Sequence, residues 1–156
     1  MPIEESSMNE QRSDLKIIRL ANTFEAFGLV LDYLSRTPPF ADFELGSFAG
    51  VIRAQLSYEN HLAAMSGKLM VGYAGWLHTN AEYAEAWLRG DGILKSLDGR
   101  PHDCAALTVF VVSDARATPR LIRGARELNK GIRVYFKRDY DGSTRGPRKA
   151  SVLNFS

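Results

Sequence analysis

The chain has 156 residues, which fits one domain that buries roughly two thirds of the surface its unfolded form exposes. Hydrophobic residues make up 45% of it and charged residues 24%, as in ordinary soluble globular proteins, and the single cysteine, Cys104, excludes an internal disulfide framework. No apolar run approaches the roughly 20 residues needed to cross a bilayer, and residues 1–16 contain no apolar core of signal-peptide length. We therefore expect a cytoplasmic protein, with a flexible leader over residues 1–15 and a single domain over residues 16–156.

A helix is predicted over residues 23–35. Asn22 and Glu25 have the spacing of a capping box just before it. Four apolar residues then recur at helical spacing: Phe27, Val30, Leu31 and Leu34. Pro38 and Pro39 end the helix, because proline cannot continue the hydrogen-bonding pattern.

A second helix and a β-hairpin are predicted next. The helix covers residues 44–56, where four apolar residues share one face: Phe48, Val51, Ile52 and Leu56. Residues 61–65 and 69–76 are β-like segments, joined by Ser66, Gly67 and Lys68. A glycine in such a short connection supplies the positive φ that a hairpin turn requires.

Beyond the hairpin, the sequence predicts a helix, a loop and a buried strand. Thr79 and Glu82 have capping-box spacing, and the helix they begin should end at Gly90. A loop rich in glycine and charge follows over residues 91–101. Residues 105–112 are too apolar to have a solvent-facing side, so they are expected to form the central strand.

The last predicted elements are one helix and two strands. Thr118 followed by Pro119 indicates a helix N-cap and first position, and the helix should reach about Asn129. Strands over residues 132–137 and 149–155 flank a turn at residues 139–142. The resulting order, ααββαβαββ, indicates an α/β fold: a single domain with a mixed central sheet flanked by helices. This order is similar to the general N-acetyltransferase type, in which a central strand splays to admit a pantetheine arm.

Positive charge is concentrated towards the C-terminal end. Residues 116–149 contain eleven basic and three acidic side chains, a net charge of +8, whereas the whole chain carries only +2. Such a segment suggests an acidic partner: an acyl carrier protein, a nucleic acid or a membrane surface. A solvated face of interspersed arginines explains the charges equally well. No RNA- or DNA-binding motif accompanies them, so nucleic acid is a distant alternative.

Three stretches of the chain, in order, carry a resemblance to a known family. Residues 30–43 match an amphipathic helix followed by a Ser-Pro-x-His-x-x-Trp segment, and residues 48–76 match a second helix and a hairpin strand that ends in tryptophan. Residues 132–155 match a basic, glycine-containing hairpin. In these features the chain resembles the lysine acyltransferases that activate pore-forming toxins of the RTX and hemolysin type. Members of that family take a fatty acyl group from acyl carrier protein and place it on a lysine of a protoxin.

The resemblance implies two catalytic residues that this chain does not carry in place. Thr37 stands at the serine of the family segment, and Phe40 stands at the catalytic histidine. The family aspartate falls near Val109 or Phe110, and the nearest carboxylate is that of Asp114. The lysine amine has a pKa of about 10.4 and must be neutral to react, so acyl transfer to lysine needs a base that removes its proton. Phenylalanine cannot accept that proton.

Asp114 is the best candidate for a substitute base, because it lies at the carboxyl end of the buried strand, where α/β sites are found. The favoured alternative is that it forms the turn into the next helix, an ordinary role for aspartate. Cys104 is interpreted as a buried small residue rather than a thiolate nucleophile. His61 and His78 are interpreted as structural or surface residues, and with His102 they lack metal-site spacing, so no metal is predicted.

The donor is expected to be an acyl-acyl carrier protein, with no bound cofactor. The connection over residues 114–119 has no glycine turn of the kind that holds a pyrophosphate, which disfavours coenzyme A in its usual mode. Arg116, Arg120 and Arg123 could instead meet the acidic surface of a carrier protein. Two hypotheses follow: a divergent acyltransferase acting on an amine of a protein substrate, or an inactive family member that binds the carrier or another partner. The sequence leaves the oligomeric state open, a homodimer included.

Overall fold

Strands and helices follow one another in the described part of the chain in the order β-α-α-β-β-α-β-α-β-β. The computed structural model describes residues 14–138 and 148–153. The strands are β1 (Leu15–Ile18), β2 (His61–Ser66), β3 (Leu69–Thr79), β4 (Cys104–Val112), β5 (Arg133–Arg138) and β6 (Arg148–Leu153). The helices are α1 (Phe24–Ser35), α2 (Leu45–Ser57), α3 (Ala81–Arg89) and α4 (Ala117–Leu128), with a single 3-10 turn at Phe40–Asp42. No helix in these ranges is long and apolar enough to span a bilayer.

All six strands form one mixed sheet in the order β1-β2-β3-β4-β5-β6. Neighbouring strands are antiparallel except β4 and β5, which are parallel and are connected through α4. The β3–β4 pair extends from Thr79↔Cys104 to Gly72↔Val112, so β4 is hydrogen-bonded to β3 along its whole length. The prediction of a single-domain α/β fold with a mixed central sheet and flanking helices is confirmed.

Helices cover both faces of the sheet, because side chains alternate between the faces along each strand. Ala63, Tyr73 and Val109 point towards α1 and α2 and pack in a cluster with Val30, Leu34, Ile52 and Leu56. The neighbouring Ala64 and Ala74 point the other way, towards Ala117 and Leu121 of α4. A third, smaller cluster joins α3 to the starts of β4 and β5.

The predicted helices all exist, but three of the predicted caps are wrong. The N-cap of α1 is Thr23 rather than Asn22, and its hydroxyl accepts from the Ala26 amide at 3.1 Å. The N-cap of α3 is Asn80, whose side chain accepts from the Tyr83 amide, while Thr79 is the last residue of β3. Helix α4 begins at Ala117, before the predicted Thr118–Pro119 start. Asn and Thr are both good caps, so their adjacency left the position ambiguous by one residue.

The strand β1 was not predicted. Its four residues pair antiparallel with β2, and Leu15, assigned to the leader, is buried. The sequence LKII is too short to show an alternating pattern, so only tertiary pairing defines it as a strand. The remainder of the predicted leader, residues 1–13, and the turn at residues 139–142 lie outside the described residues.

A close approach between α2 and β3 fixes how the helix sits on the sheet. The side chain of Gln55 lies against the main chain of Gly75, and a Cβ built on Gly75 would be 2.1 Å from Oε1 of Gln55. The Gln55 amide is buried and bonded at both ends, its Oε1 accepting from Tyr73 at 2.8 Å and its Nε2 donating to Thr108 at 3.0 Å. It therefore cannot move aside without losing hydrogen bonds.

Replacing Gly75 by alanine should destabilise the fold. We expect Gly75→Ala to lower the free energy of unfolding by about 1–3 kcal/mol, since the added methyl group overpacks the Gln55 amide. Gly28→Ala is the matched control. Gly28 lies on the exposed side of α1 with nothing within 4 Å of an added Cβ, so this variant should raise the free energy of unfolding by about 0.4–1 kcal/mol. Urea denaturation measures both, and a Gly75→Ala protein as stable as the wild type would contradict this packing.

Candidate functional site

An opening between two parallel strands is the main candidate site. β4 and β5 pair at only four positions, from Cys104↔Arg133 to Leu107↔Phe136. Beyond Leu107, β4 continues to Val112 beside β3 alone. Main-chain groups on the β5 side of this half of β4 thus have no neighbouring strand within the described residues. An extended ligand with amide groups could bind there as a strand would.

A β-bulge marks the point where the two strands separate. Gly75 pairs with Val109 and Trp76 pairs with Leu107, which leaves Thr108 as an extra residue in β4. Bulges bend a strand and redirect its side chains, and they occur often beside functional sites. Here the bulge comes directly after the last β4–β5 pair, so the bend and the opening coincide.

The carboxyl end of β4 leads into the start of α4 through Asp114. Its carboxylate accepts from Nε and Nη2 of Arg116, the latter at 2.7 Å, and from the Arg116 main-chain N–H at 3.0 Å. The Arg116 hydrogen bonds hold the pKa of Asp114 below its usual range. This geometry matches the favoured reading of Asp114 as the turn into the helix, and a carboxylate paired in this way is a weak base.

The main-chain donors at the start of α4 are already used within the chain. The Ala117 N–H donates to the carbonyl of Asp114, and the Thr118 N–H donates to that of Ala115. Pro119 has no N–H to offer. With the Asp114 carboxylate on the Arg116 N–H, an anion arriving here would meet occupied donors and a negative charge.

The three predicted contact arginines have different surroundings. Arg116 is paired with Asp114, and Arg120 donates to the carbonyl of Leu15, which ties α4 to β1. Arg123 is exposed on α4. The structure thus brings Arg120 and Arg123 to α4 and Arg116 to its N-cap, although Arg116 and Arg120 already serve contacts within the chain.

Phe40 lies in an aromatic cluster at the surface. Its ring stacks on that of Phe48, with centroids 5.5 Å apart, and meets Phe43 edge-on at 5.2 Å. Phe43 is 51% exposed, and the adjacent Leu45 is 73% exposed. Phe40 also packs against the core cluster that contains Val109 and Val111 of β4. The side chain at the expected histidine position is therefore a partly buried ring at the edge of the core cluster to which Val109 and Val111 also belong.

Thr37 lies just before that cluster, after the end of α1. Its hydroxyl donates to the carbonyl of Tyr33 at 3.2 Å. The phenol of Tyr33 shares a 2.7 Å hydrogen bond with Ser113, at the carboxyl end of β4. The segment after α1 is thereby connected to the end of β4, where the opening lies.

His61 is fully buried and both of its ring nitrogens are used. Nε2 accepts from the Leu20 amide at 2.9 Å, so Nδ1 carries the proton and donates to the carbonyl of Gln55 at 3.0 Å. Burial lowers the pKa of His61, since the charged ring would lose solvation. The interpretation of His61 as structural agrees with these contacts.

His78 and His102 stack on one another near the start of β4, away from the opening. Their ring centroids are 3.9 Å apart and the planes differ by 4°. Nδ1 of His78 lies 3.7 Å from the nearly buried carboxylate of Asp98, which also accepts from Asn60 at 2.8 Å. Burial, followed by the nearby His102, lowers the pKa of His78.

Cys104 does not offer a nucleophile, because its thiol is buried and burial raises its pKa to about 12. Over the described part of the chain, no three His, Cys, Asp or Glu side chains are grouped so as to hold a metal ion. The sequence analysis missed a different set: Gln55, Tyr73 and Thr108. Helical spacing was the available signal, since Gln55 lies seven residues after Phe48 and one before Leu56, on the apolar face of α2.

Neither a known protein family nor a curated protein matches the sequence. A solved structure does match the architecture: the GCN5-related N-acetyltransferase from Kribbella flavida, with a TM-score of 0.50 over 83% of this chain. The chain shares the fold of that protein. Sequence identity to that protein is 17%, and the chain spans 32% of its length, so the likeness concerns the fold and not the activity. The predicted similarity to the general N-acetyltransferase type is therefore confirmed for the fold, and this likeness does not extend to the toxin-activating acyltransferases.

Lowering the pH should destabilise the protein through His61. Its pKa is about 6.5 when unfolded and lower when folded, so below pH 6.5 the unfolded chain binds the proton first. The free energy of unfolding should then fall by up to about 1.4 kcal/mol per pH unit for this group. Urea denaturation at pH 7.5 and 5.5 measures the fall. His61→Gln should be less stable at pH 7.5 but less sensitive to pH, and a wild-type stability independent of pH would contradict the assignment.

Proposed function

We propose that this protein binds the acyl-pantetheine arm of an acyl carrier protein between β4 and β5 and transfers the acyl group to an amine of a protein substrate, such as a lysine. The observation that carries the proposal is the separation of the two parallel strands after Leu107↔Phe136. Pantetheine contains two amides in an extended chain, which suits the unpaired side of a strand. Holding thioester and amine in line supplies much of what aminolysis requires.

The start of α4 supports a carrier protein rather than free coenzyme A as donor. The N–H groups that would hold a pyrophosphate already have partners, and the Asp114 carboxylate lies among them. The nucleotide phosphates of coenzyme A would gain little there. A carrier protein presents pantetheine on a single phosphate and adds its own acidic surface as a source of affinity.

Basic side chains on α4 and just after it support an acidic partner. Arg123 and Lys130 are exposed, and residues 116–149 carry a net charge of +8. Charges of this kind at the rim of an interface mainly raise the association rate and depend on salt. Because α4 follows β4 directly, a partner bound to its exposed face would be close to the end of the opening.

The second candidate function is binding without catalysis. Phe40 is packed in an aromatic cluster, Asp114 is paired with Arg116, and His61 has no free ring nitrogen. These contacts favour a protein that keeps the acyl carrier surface or another partner surface and lacks a base. Measurements of binding and of transfer distinguish the two functions.

Charge reversal on α4 should weaken carrier binding. We expect Arg123→Glu to raise the Kd for octanoyl-acyl carrier protein by about 3- to 10-fold at low salt, and less at high salt, since the contact is screened. Arg53→Glu, the same charge change on an exposed site of α2 across the sheet, should change the Kd little. Octanoyl-CoA should bind no more tightly than octanoyl-pantetheine. Absence of any carrier binding at low salt would exclude both candidate functions.

Restoring the family histidine tests whether a base is what the site lacks. Phe40→His should raise octanoyl transfer from the carrier protein to Nα-acetyl-lysine amide by about 100-fold or more, the usual contribution of a general base. Mass spectrometry of the acceptor measures the rate, with Phe40→Leu as the control for loss of the ring. If Phe40→His changes nothing while Asp114→Asn abolishes transfer, Asp114 is a relocated base.

A further inference from the structure

The side chain of Gln55 is a buried polar group whose amide oxygen and amide nitrogen each have a hydrogen-bond partner. It is 2% exposed, and its amide oxygen and nitrogen are bonded to Tyr73 and Thr108. A leucine of similar size would fill the same space without these partners. A buried amide is costly unless its polar atoms have hydrogen-bond partners. Because these partners lie in fixed directions, Gln55 fixes the geometry of its neighbours more than an apolar side chain would.

The partner of Gln55 on β4 is the residue of the bulge itself. Thr108 accepts from Nε2 of Gln55 at 3.0 Å and donates to the carbonyl of Gly75 at 3.4 Å. It is also the first residue beyond the last β4–β5 pair, Leu107↔Phe136. One hydroxyl therefore connects α2, β3 and the bend in β4.

The main chain of Gln55 is held as firmly as its side chain. Its carbonyl accepts from Nδ1 of His61 at 3.0 Å and from the Asn60 amide at 2.9 Å. The His61 ring is fixed from its other side by the Leu20 amide. The amide of Gln55 is thus presented to Thr108 from a rigid support, because each neighbouring group has a defined partner.

We propose that Gln55 is a positioning residue for the acyl-pantetheine site: by fixing Thr108 it sets where the β4 main chain turns away from β5. This inference rests on the proposed function. The main-chain groups that a bound pantetheine would meet belong to the residues just after the bulge, Val109 and Phe110. Their direction follows from the bulge, and misplacement of a reacting group by about 1 Å can cost about 100-fold in rate.

The test separates the shape of the Thr108 side chain from its hydroxyl, which makes the hydrogen bonds to Gln55 and to Gly75. Thr108→Val keeps the shape of the side chain and removes the hydroxyl, whereas Thr108→Ser keeps the hydroxyl. Ile52→Val is the control for a loss of core packing. Ile52 lies about one turn before Gln55 on α2 and is as buried as Gln55. For each protein, NMR gives the amide hydrogen-exchange rates of Val109 and Phe110, and kinetics give kcat and KM for transfer from octanoyl-pantetheine to Nα-acetyl-lysine amide.

Thr108→Val should lower kcat by roughly 10- to 100-fold with a smaller change in KM, and should speed exchange at Val109 and Phe110 relative to α1. Thr108→Ser should have a kcat and amide hydrogen-exchange rates at Val109 and Phe110 close to those of the wild type. Ile52→Val should raise the amide hydrogen-exchange rates of α1 and β4 by similar factors and leave kcat close to that of the wild type.

If Thr108→Val transfers the octanoyl group and exchanges its amides as the wild type does, the positioning role is wrong. A wild-type protein that neither binds octanoyl-pantetheine nor transfers from it would overturn the proposed function instead. In that case the exchange pattern alone decides whether Gln55 fixes the bulge.

Discussion

The geometry of the molecule depends on what β4 must pair with on its two sides. On one side it is bonded to β3 from Cys104 to Val112, and on the other it has β5 only as far as Leu107. A parallel neighbour can be reached only through a crossover, here α4, whose own packing on Leu15, Leu62 and Ala74 fixes where β5 begins. β4 stays paired with β3 to its end and leaves β5 after Leu107, and the bulge at Thr108 lies where the two pairings part. The opening therefore begins at the bulge.

The two faces of the sheet differ in the kind of side chain that packs on them near the bulge. The α4 face carries small apolar side chains such as Ala64, Ala74 and Ala105, which allow the helix to lie close. The α2 face carries a buried polar group at the same level as the bulge, where Gln55 spans Tyr73 and Thr108. Apolar packing is non-directional, whereas a bonded amide specifies one arrangement. Polar contacts therefore lie where the backbone departs from regular pairing.

Much of the fold could be read from the sequence because its elements are strongly patterned. The apolar spacing of α1, the Gly67 hairpin and the apolar run of β4 each depend on local chemistry, and each was located, although the second hairpin strand extends three residues beyond its predicted end at Trp76. The predicted order lacked only β1, since Leu15–Ile18 becomes a strand through its pairing with β2 and not through its own pattern. Pro119 pointed to a start two residues late, because proline is tolerated throughout the first turn, where N–H groups have no helical partner.

The candidate site was less predictable than the fold, because it is defined by relations between distant residues. Gln55 and Thr108 are 53 positions apart, and nothing local to either indicates a shared hydrogen bond. The resemblance to toxin-activating acyltransferases pointed to Phe40 and to the missing aspartate. A comparison of this kind concerns single positions and does not show which residues contact one another. Whether the strands separate, and whether Asp114 is available, are properties of pairing that only the assembled sheet shows.

The start of α4 joins the geometric and electrostatic features of the molecule. A helix N-terminus attracts negative charge, and here the carboxylate of Asp114 takes that place at the end of β4, with Arg116 balancing it. The charge available to a partner is then displaced along the helix towards Arg123 and Lys130, away from the mouth of the opening. A small anionic cofactor gains from charge at the mouth, while a protein partner can reach charges one or two turns farther on. Under the proposed function, this arrangement suits a donor large enough to touch α4 and the opening at once.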